Sequence, residues 1–161
     1  LSLTPVGPKG TYDGRLSVGG IWIQDAPAMA SLLSALSIVG LLEQMSGNGI
    51  LFNTVEADFR LTPAQVVVRS ASAVGASMGV SMDGIYNLGA KSMDMQGVIS
   101  PLYMLNGIGR IFSRNDGEGL IGFNYRLLGP VAKPRVQVNP LSLFTPGMFR
   151  EIFRRPPPTT N

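Results

Sequence analysis

The 161-residue chain contains neither cysteine nor histidine. It therefore cannot build a disulfide framework, a thiolate nucleophile, a histidine-based catalytic triad or a Cys/His zinc site. Charged residues are also scarce, at 14% of the chain against 45% hydrophobic residues. These shortages exclude most familiar hydrolase chemistry and predict more apolar surface than a monomer in water needs, which favours a surface that contacts lipid or a partner.

The length fits one domain, which we place at residues 1–155, followed by a Pro-rich disordered end over 156–161. The first residue is Leu1 rather than methionine, which indicates a processed chain or a fragment of a longer one. Because the Pro-rich end is typical of a natural frayed terminus, we expect a C-terminal piece. No signal-peptide pattern is visible, so any export signal is expected upstream.

Hydrophobic periodicity predicts a mainly β fold of the α+β class. Apolar residues alternate with polar or small ones over 14–24, from 50 to about 101, over 121–127 and over 135–138. The run over 74–82 is interpreted as a single strand that ends at Asp83 and carries on one face Val74, Met78, Val80 and Met82. Glycine and serine on the other face allow tight bending. We expect a curved, twisted antiparallel sheet that forms a groove or half-barrel.

A long amphipathic helix is predicted over 27–45, because apolar side chains recur there at helical spacing. Asp25 precedes it as a candidate cap for the first turn. Its uncharged stretch is at the lower edge of the length of a membrane span and is interrupted by serines, which favours a helix that packs on or plugs the sheet. Asn139 before Pro140 and Thr145 before Pro146 predict two short C-terminal helices.

Basic residues concentrate near the C-terminus, where 132–161 hold five Lys and Arg against Glu151 alone. With the aromatic residues beside them, they suit an anionic membrane surface or an acidic partner. The candidate contacts are Phe149, Arg150, Phe153, Arg154 and Arg155. The rest of the chain has no basic stripe that could follow a phosphate backbone, so we expect no nucleic-acid partner.

Methionine and aromatic side chains on the predicted strand faces are the candidate lipid contacts, because unbranched thioethers adapt to ligands of irregular shape. They are Val74, Met78, Val80, Met82, Met93, Met95, Ile121, Phe123 and Tyr125. Ordinary core packing is the competing interpretation.

Glu56 and Asp58 are the candidate acid/base pair, because they share a face of a predicted strand. They alternate with apolar residues, as the solvated face of a half-buried strand does. That interpretation is favoured over a sugar-cleaving site, and we expect no enzymatic activity, metal or cofactor.

Several motifs give the chain a family resemblance from residue 14 to residue 153. The most specific are Asn-Pro-Leu-Ser at 139–142 and the Pro-Gly at 146–147; others are Gly-Val-Ile-Ser-Pro at 97–101 and Gly-Glu-Gly-Leu at 117–120. With them the chain resembles the C-terminal region of AsmA-like proteins, particularly the YhdP-type branch. The strand segments are generic by comparison.

The resemblance implies a large envelope protein of a Gram-negative bacterium. Such a protein is anchored in the inner membrane upstream of this chain and crosses the periplasm as a long curved β-sheet with an apolar groove. The expected function is non-enzymatic transport of phospholipids for outer-membrane biogenesis, with acyl chains, a membrane surface and other envelope proteins as partners. The alternative is a structural end-cap or docking module that binds a membrane surface or a protein through its basic C-terminus.

Overall fold

A computed structural model describes residues 1–36, 47–101 and 122–139. These residues form one helix and one antiparallel eight-stranded sheet, in which every strand pairs with its neighbours in sequence. The strands are β1 Ser2–Pro5, β2 Tyr12–Ile23, β3 Ile50–Leu61, β4 Gln65–Gly75, β5 Met78–Asn87, β6 Ser92–Pro101, β7 Phe123–Pro130 and β8 Arg135–Asn139. Helix α1, Pro27–Ala35, joins β2 to β3. The predicted mainly β fold is confirmed.

The register of the strands sorts the side chains into an apolar and a polar face, since residues directly opposite each other point to the same side of a sheet. One row across the sheet pairs Val18 with Val55, Val55 with Ala73 and Ala73 with Val80. The apolar face continues on β6 to β8 through Met93, Met95, Ile99, Phe123, Tyr125, Leu127, Val136 and Val138. An apolar surface therefore crosses the sheet from β2 to β8.

Helix α1 packs on the apolar face. Leu32 and Leu33 are buried in a core that includes Phe52, Met78 and Ile99. Although α1 directly follows β2, it contacts β8. Six strand spacings in a flat sheet span about 29 Å, twice the length of a nine-residue helix, about 14 Å. The contact between α1 and a strand so far across the sheet is consistent with a sheet that curves around the helix.

The start of α1 differs from the sequence prediction. Pro27 occupies the first turn, where the N–H that proline lacks would have no partner within the helix. Asp25 is not the cap: the N-cap residue is Ala26, which makes no side-chain capping bond, and Asp25 has a positive φ of 47°. The prediction of a helix beyond Leu36 and the two predicted C-terminal helices fall outside the described residues.

The strand predicted over 74–82 is two strands. Ala76 and Ser77 form the turn of a hairpin between β4 and β5, and Asp83 lies inside β5 rather than at its end. A two-residue turn shifts the phase of the alternation by one position. Val74 therefore lies on the polar face, opposite Gly79, while Met78 and Val80 lie on the apolar face.

Ion pairs join the strands across the polar face. The Arg60 side chain donates two hydrogen bonds to the Asp13 carboxylate, at 2.9 and 3.2 Å, and Arg69 also contacts that carboxylate. This cluster links β2, β3 and β4. Farther along the sheet, Arg126 donates to both carboxylate oxygens of Asp94 at 3.1 Å and links β7 to β6. On the same face Asp83 and Gln96 are buried, and Gln96 donates a hydrogen bond to the Asp83 carboxylate at 2.9 Å.

Replacing Asp13 with asparagine is expected to lower the urea midpoint of unfolding at neutral pH. The hydrogen bond from Arg60, followed by the positive charge of Arg69, holds the pKa of Asp13 below its usual value of 3.8. A depressed pKa stabilises the folded state above the usual value, and this stabilisation is lost as the pH falls through the folded value. The difference from the wild type should therefore shrink below pH 3.8. Asp25→Asn, at an exposed aspartate outside the cluster, is the control, and a pH-independent difference would contradict the assignment.

Candidate functional site

A cavity of about 400 Å³ lies between α1 and the apolar face of β5 to β7. This volume is within the range of known ligand pockets, roughly 300–1,000 Å³. Its lining is Ile23, Ala26, Ala28, Met29, Leu32, Val80, Met82, Tyr86, Met93, Met95, Tyr125, Leu127 and Val131. The helix supplies one wall and the sheet the other, so the site exists only because α1 rests on the curved sheet.

Among the described residues, no charged side chain lines the cavity, and the polar side-chain groups of the lining are the hydroxyls of Tyr86 and Tyr125. The hydroxyl of Tyr125 donates a hydrogen bond to the backbone carbonyl of Ser81 at 2.9 Å. Four of the lining residues are methionines, one on the helix and three on the sheet. Such a lining can bury hydrocarbon, and methionine lets it adapt to the shape of what it buries.

Gly97 makes room for the tyrosine that closes the sheet side of the cavity. The two residues are opposite each other in neighbouring strands. A β-carbon at position 97 would overlap the carbonyl oxygen of Ser81 and come within 2.8 Å of the Tyr125 hydroxyl. The missing side chain at Gly97 thus lets the ring of Tyr125 cross β6 and bond to β5.

The apolar face continues from the cavity toward the other edge of the sheet. Val80, which lines the cavity, is opposite Ala73, and Ala73 is opposite Val55. At Val18 on β2 and at Val55 and Phe59 on β3 the apolar side chains are half-buried rather than buried. The cavity is therefore the covered part of a longer apolar surface.

Most of the lipid contacts predicted within the described residues come together here. Val80, Met82, Met93, Met95 and Tyr125 line the cavity.

The remaining described predictions have different positions. Phe123 is half-buried and packs against the core, and Met78 is fully buried in the core with Leu32 and Leu33. Val74 is 52% exposed on the polar face, so it is not part of this apolar surface.

The sequence prediction missed the helix side of the site. The helical spacing over 27–45 predicts an apolar stripe, but nothing in the sequence shows that Met29 and Leu32 of that stripe face a cavity. Tyr86 was also missed, since β5 was expected to end before it.

Several predicted residues fall outside the described parts of the chain. These are Ile121 and the basic C-terminal set Phe149, Arg150, Phe153, Arg154 and Arg155.

The acidic pair has the position expected of a solvated face. Glu56 and Asp58 lie on the polar side of β3, and Asp58 accepts a hydrogen bond from Arg15 at 2.9 Å.

Within residues 1–36, 47–101 and 122–139, no group of three or more acidic side chains could hold a metal ion. No helix in that part of the chain has the length and hydropathy to cross a membrane. No family model, curated protein or solved structure matches the chain.

Proposed function

We propose that this chain is a non-enzymatic lipid-transport module that holds phospholipid acyl chains against its apolar face. The observation that carries the proposal is the continuity of that face, which runs across the curved sheet and includes a covered cavity without charged groups. Burial of hydrocarbon stabilises a complex by roughly 0.8 kcal/mol per methylene. Ten buried methylenes would therefore contribute about 8 kcal/mol before the costs of association are subtracted.

The rows of opposed side chains define the course of the lipid. An acyl chain lies over Val80, Ala73 and Val55, which face the same side of β5, β4 and β3. Its headgroup stays at the rim of the sheet in water, because moving an ionised phosphate into an apolar lining is costly. The polar face, held by its ion pairs, takes no part in binding.

The wider role follows from the resemblance to AsmA-like proteins of the YhdP-type branch. In this proposal the chain is part of a bridge-like periplasmic protein that is anchored in the inner membrane. It moves phospholipids between the inner and outer membranes for outer-membrane biogenesis, with acyl chains and a membrane surface as its partners. The antiparallel meander and its single apolar face support this assignment, because they are the architecture that the resemblance implies.

Native mass spectrometry tests the proposal directly. The purified chain is incubated with vesicles of phosphatidylethanolamine and phosphatidylglycerol, separated from them without detergent, and weighed before and after lipid extraction. We expect phospholipid bound in a fixed ratio to the protein. A protein of clean apo mass, with the circular dichroism of a folded sheet, would contradict the proposal. Vesicle binding by that apo protein would then favour an end-cap or docking module that acts through the basic C-terminus.

A further inference from the structure

We infer that the cavity between α1 and the sheet is a pocket for a single acyl chain, which recognises the chain and not the headgroup. This inference rests on the proposed function. It adds a statement of which part of the lipid binds in the cavity. It concerns the partly covered pocket under α1 alone, as distinct from the half-buried apolar surface around Val18, Val55 and Phe59.

The volume of the cavity sets the number of chains. A methylene group occupies about as much space as a water molecule in the liquid, roughly 30 Å³. The cavity of about 400 Å³ therefore holds about a dozen methylenes. That is enough for the greater part of one phospholipid acyl chain and leaves no room for a second.

The chemistry of the lining sets which part of the lipid enters. The lining has no charged side chain to pair with a phosphate or an ammonium group. The hydroxyl of Tyr125 already donates to the carbonyl of Ser81. A charged headgroup inside the cavity would lose its hydration without compensation, so it stays outside. The second chain of a diacyl lipid must then lie outside the pocket, on the open apolar surface.

The methionines make the pocket tolerant of chain shape. Met29 lies on the helix wall, opposite Met82, Met93 and Met95 on the sheet wall. Their unbranched side chains can move to follow a bent hydrocarbon, as a lining of β-branched residues cannot. A cis-unsaturated chain should therefore bind about as well as a saturated chain of equal length.

The length dependence of binding tests the pocket. Lysophosphatidylcholines with saturated chains of 8 to 18 carbons are titrated below their critical micelle concentrations, by displacement of a fluorescent fatty acid. We expect the affinity to rise about fourfold with each added methylene, and to level off at about twelve carbons. Alkyl maltosides should show the same limit, with affinities within roughly threefold at equal length, because nothing in the lining distinguishes the headgroups.

Two variants test whether the cavity sets the chain length at which the affinity levels off. Ala28→Phe places a ring in the pocket and should move the limit to a chain several carbons shorter. Ala35→Phe makes the same change at an exposed position of the same helix and should leave the limit in place.

The possible outcomes separate the inference from the proposed function. An affinity that keeps rising at the same rate to 18 carbons would overturn the single-chain pocket but keep lipid binding on the open apolar face. A strong preference for one headgroup would also overturn the inference. If no chain of any length bound to the folded protein, the proposed function would fail as well.

Discussion

Glutamate in place of Met82 is expected to abolish acyl-chain binding at neutral pH while the sheet stays folded. Met82 lies in the cavity wall and is only half-buried, so an ionised carboxylate there can keep water around it while the cavity is empty. An acyl chain would displace that water, and the effective cost of burying an unpaired ion is several kcal/mol. Affinity should therefore fall by roughly 100-fold or more. The measurement is displacement of a fluorescent fatty acid.

The pH dependence of the same variant gives a second test. An apolar surrounding raises the pKa of a carboxyl group above its usual value, about 4.3 for glutamate, and a bound chain raises it further. Binding requires the neutral form, so it should return as the pH falls through the raised pKa. The wild type has no such group in the cavity lining and should bind equally well over the same range.

Gln137→Glu is the matched control for charge. Gln137 is exposed on the polar face of β8, opposite Arg126, so this variant gains the same charge on the other side of the sheet. It should bind acyl chains like the wild type at every pH. If the two variants bound equally well, the cavity would not be the site.

Alanine in place of Gly97 is expected to destabilise the fold by about 4 kcal/mol or more. The added β-carbon would overlap the backbone carbonyl of Ser81 on the neighbouring strand, and backbone cannot move aside as the end of a side chain can. It would also displace the Tyr125 hydroxyl, which bonds to that carbonyl. Both β5 and β7 would have to shift relative to β6. The measurement is the midpoint of urea unfolding followed by circular dichroism.

Two further variants separate the steric effect from the hydrogen bond. Gly79→Ala adds the same methyl group on β5, where no heavy atom lies within 4 Å, and should leave the midpoint nearly unchanged. Tyr125→Phe removes only the hydroxyl and should cost about 1 kcal/mol. Similar midpoints for the alanine variants at 97 and 79 would show that β6 has room at position 97, and the account of Tyr125 would then be wrong.

Much of the sheet could be predicted from the sequence, because a half-buried antiparallel strand records its two faces in its alternation. The alternation around Val55 and around Tyr125 placed β3 and β7 in this way. It failed at Ala76 and Ser77, where small residues continued the pattern through a hairpin turn. Gly75 and Ser77 are turn residues, but glycine and serine alternate along the whole run. They therefore did not mark the turn, and Val74 was placed on the wrong face. The short edge strand β1 had no alternation long enough to detect.

The site was less predictable than the sheet, because a cavity forms where the packing between two elements leaves a gap, and this depends on their relative positions in three dimensions. The sequence showed that Met82 and Met95 share an apolar face, and an apolar face serves a core as well as a ligand. Met78 illustrates the difference: it has the same chemistry and lies on the same face, yet it is fully buried in the core with Leu32 and Leu33. The curvature of the sheet and the position of the helix decide whether a methionine packs in the core or lines the cavity.

The order of the strands makes the apolar face extendable by gene duplication. Each of the eight described strands pairs only with its neighbours in sequence, so the sheet behaves as a nearly one-dimensional array in which each unit is stabilised by the next. An inserted hairpin would lengthen the face by two strands, about 10 Å, without disturbing any other pairing. Helix α1 is the exception, since it touches β8 from its position after β2. Insertions between those strands would change the curvature that closes the cavity, whereas insertions before β2 would not. Insertions before β2 could thus change the length of the apolar face without changing the covered pocket.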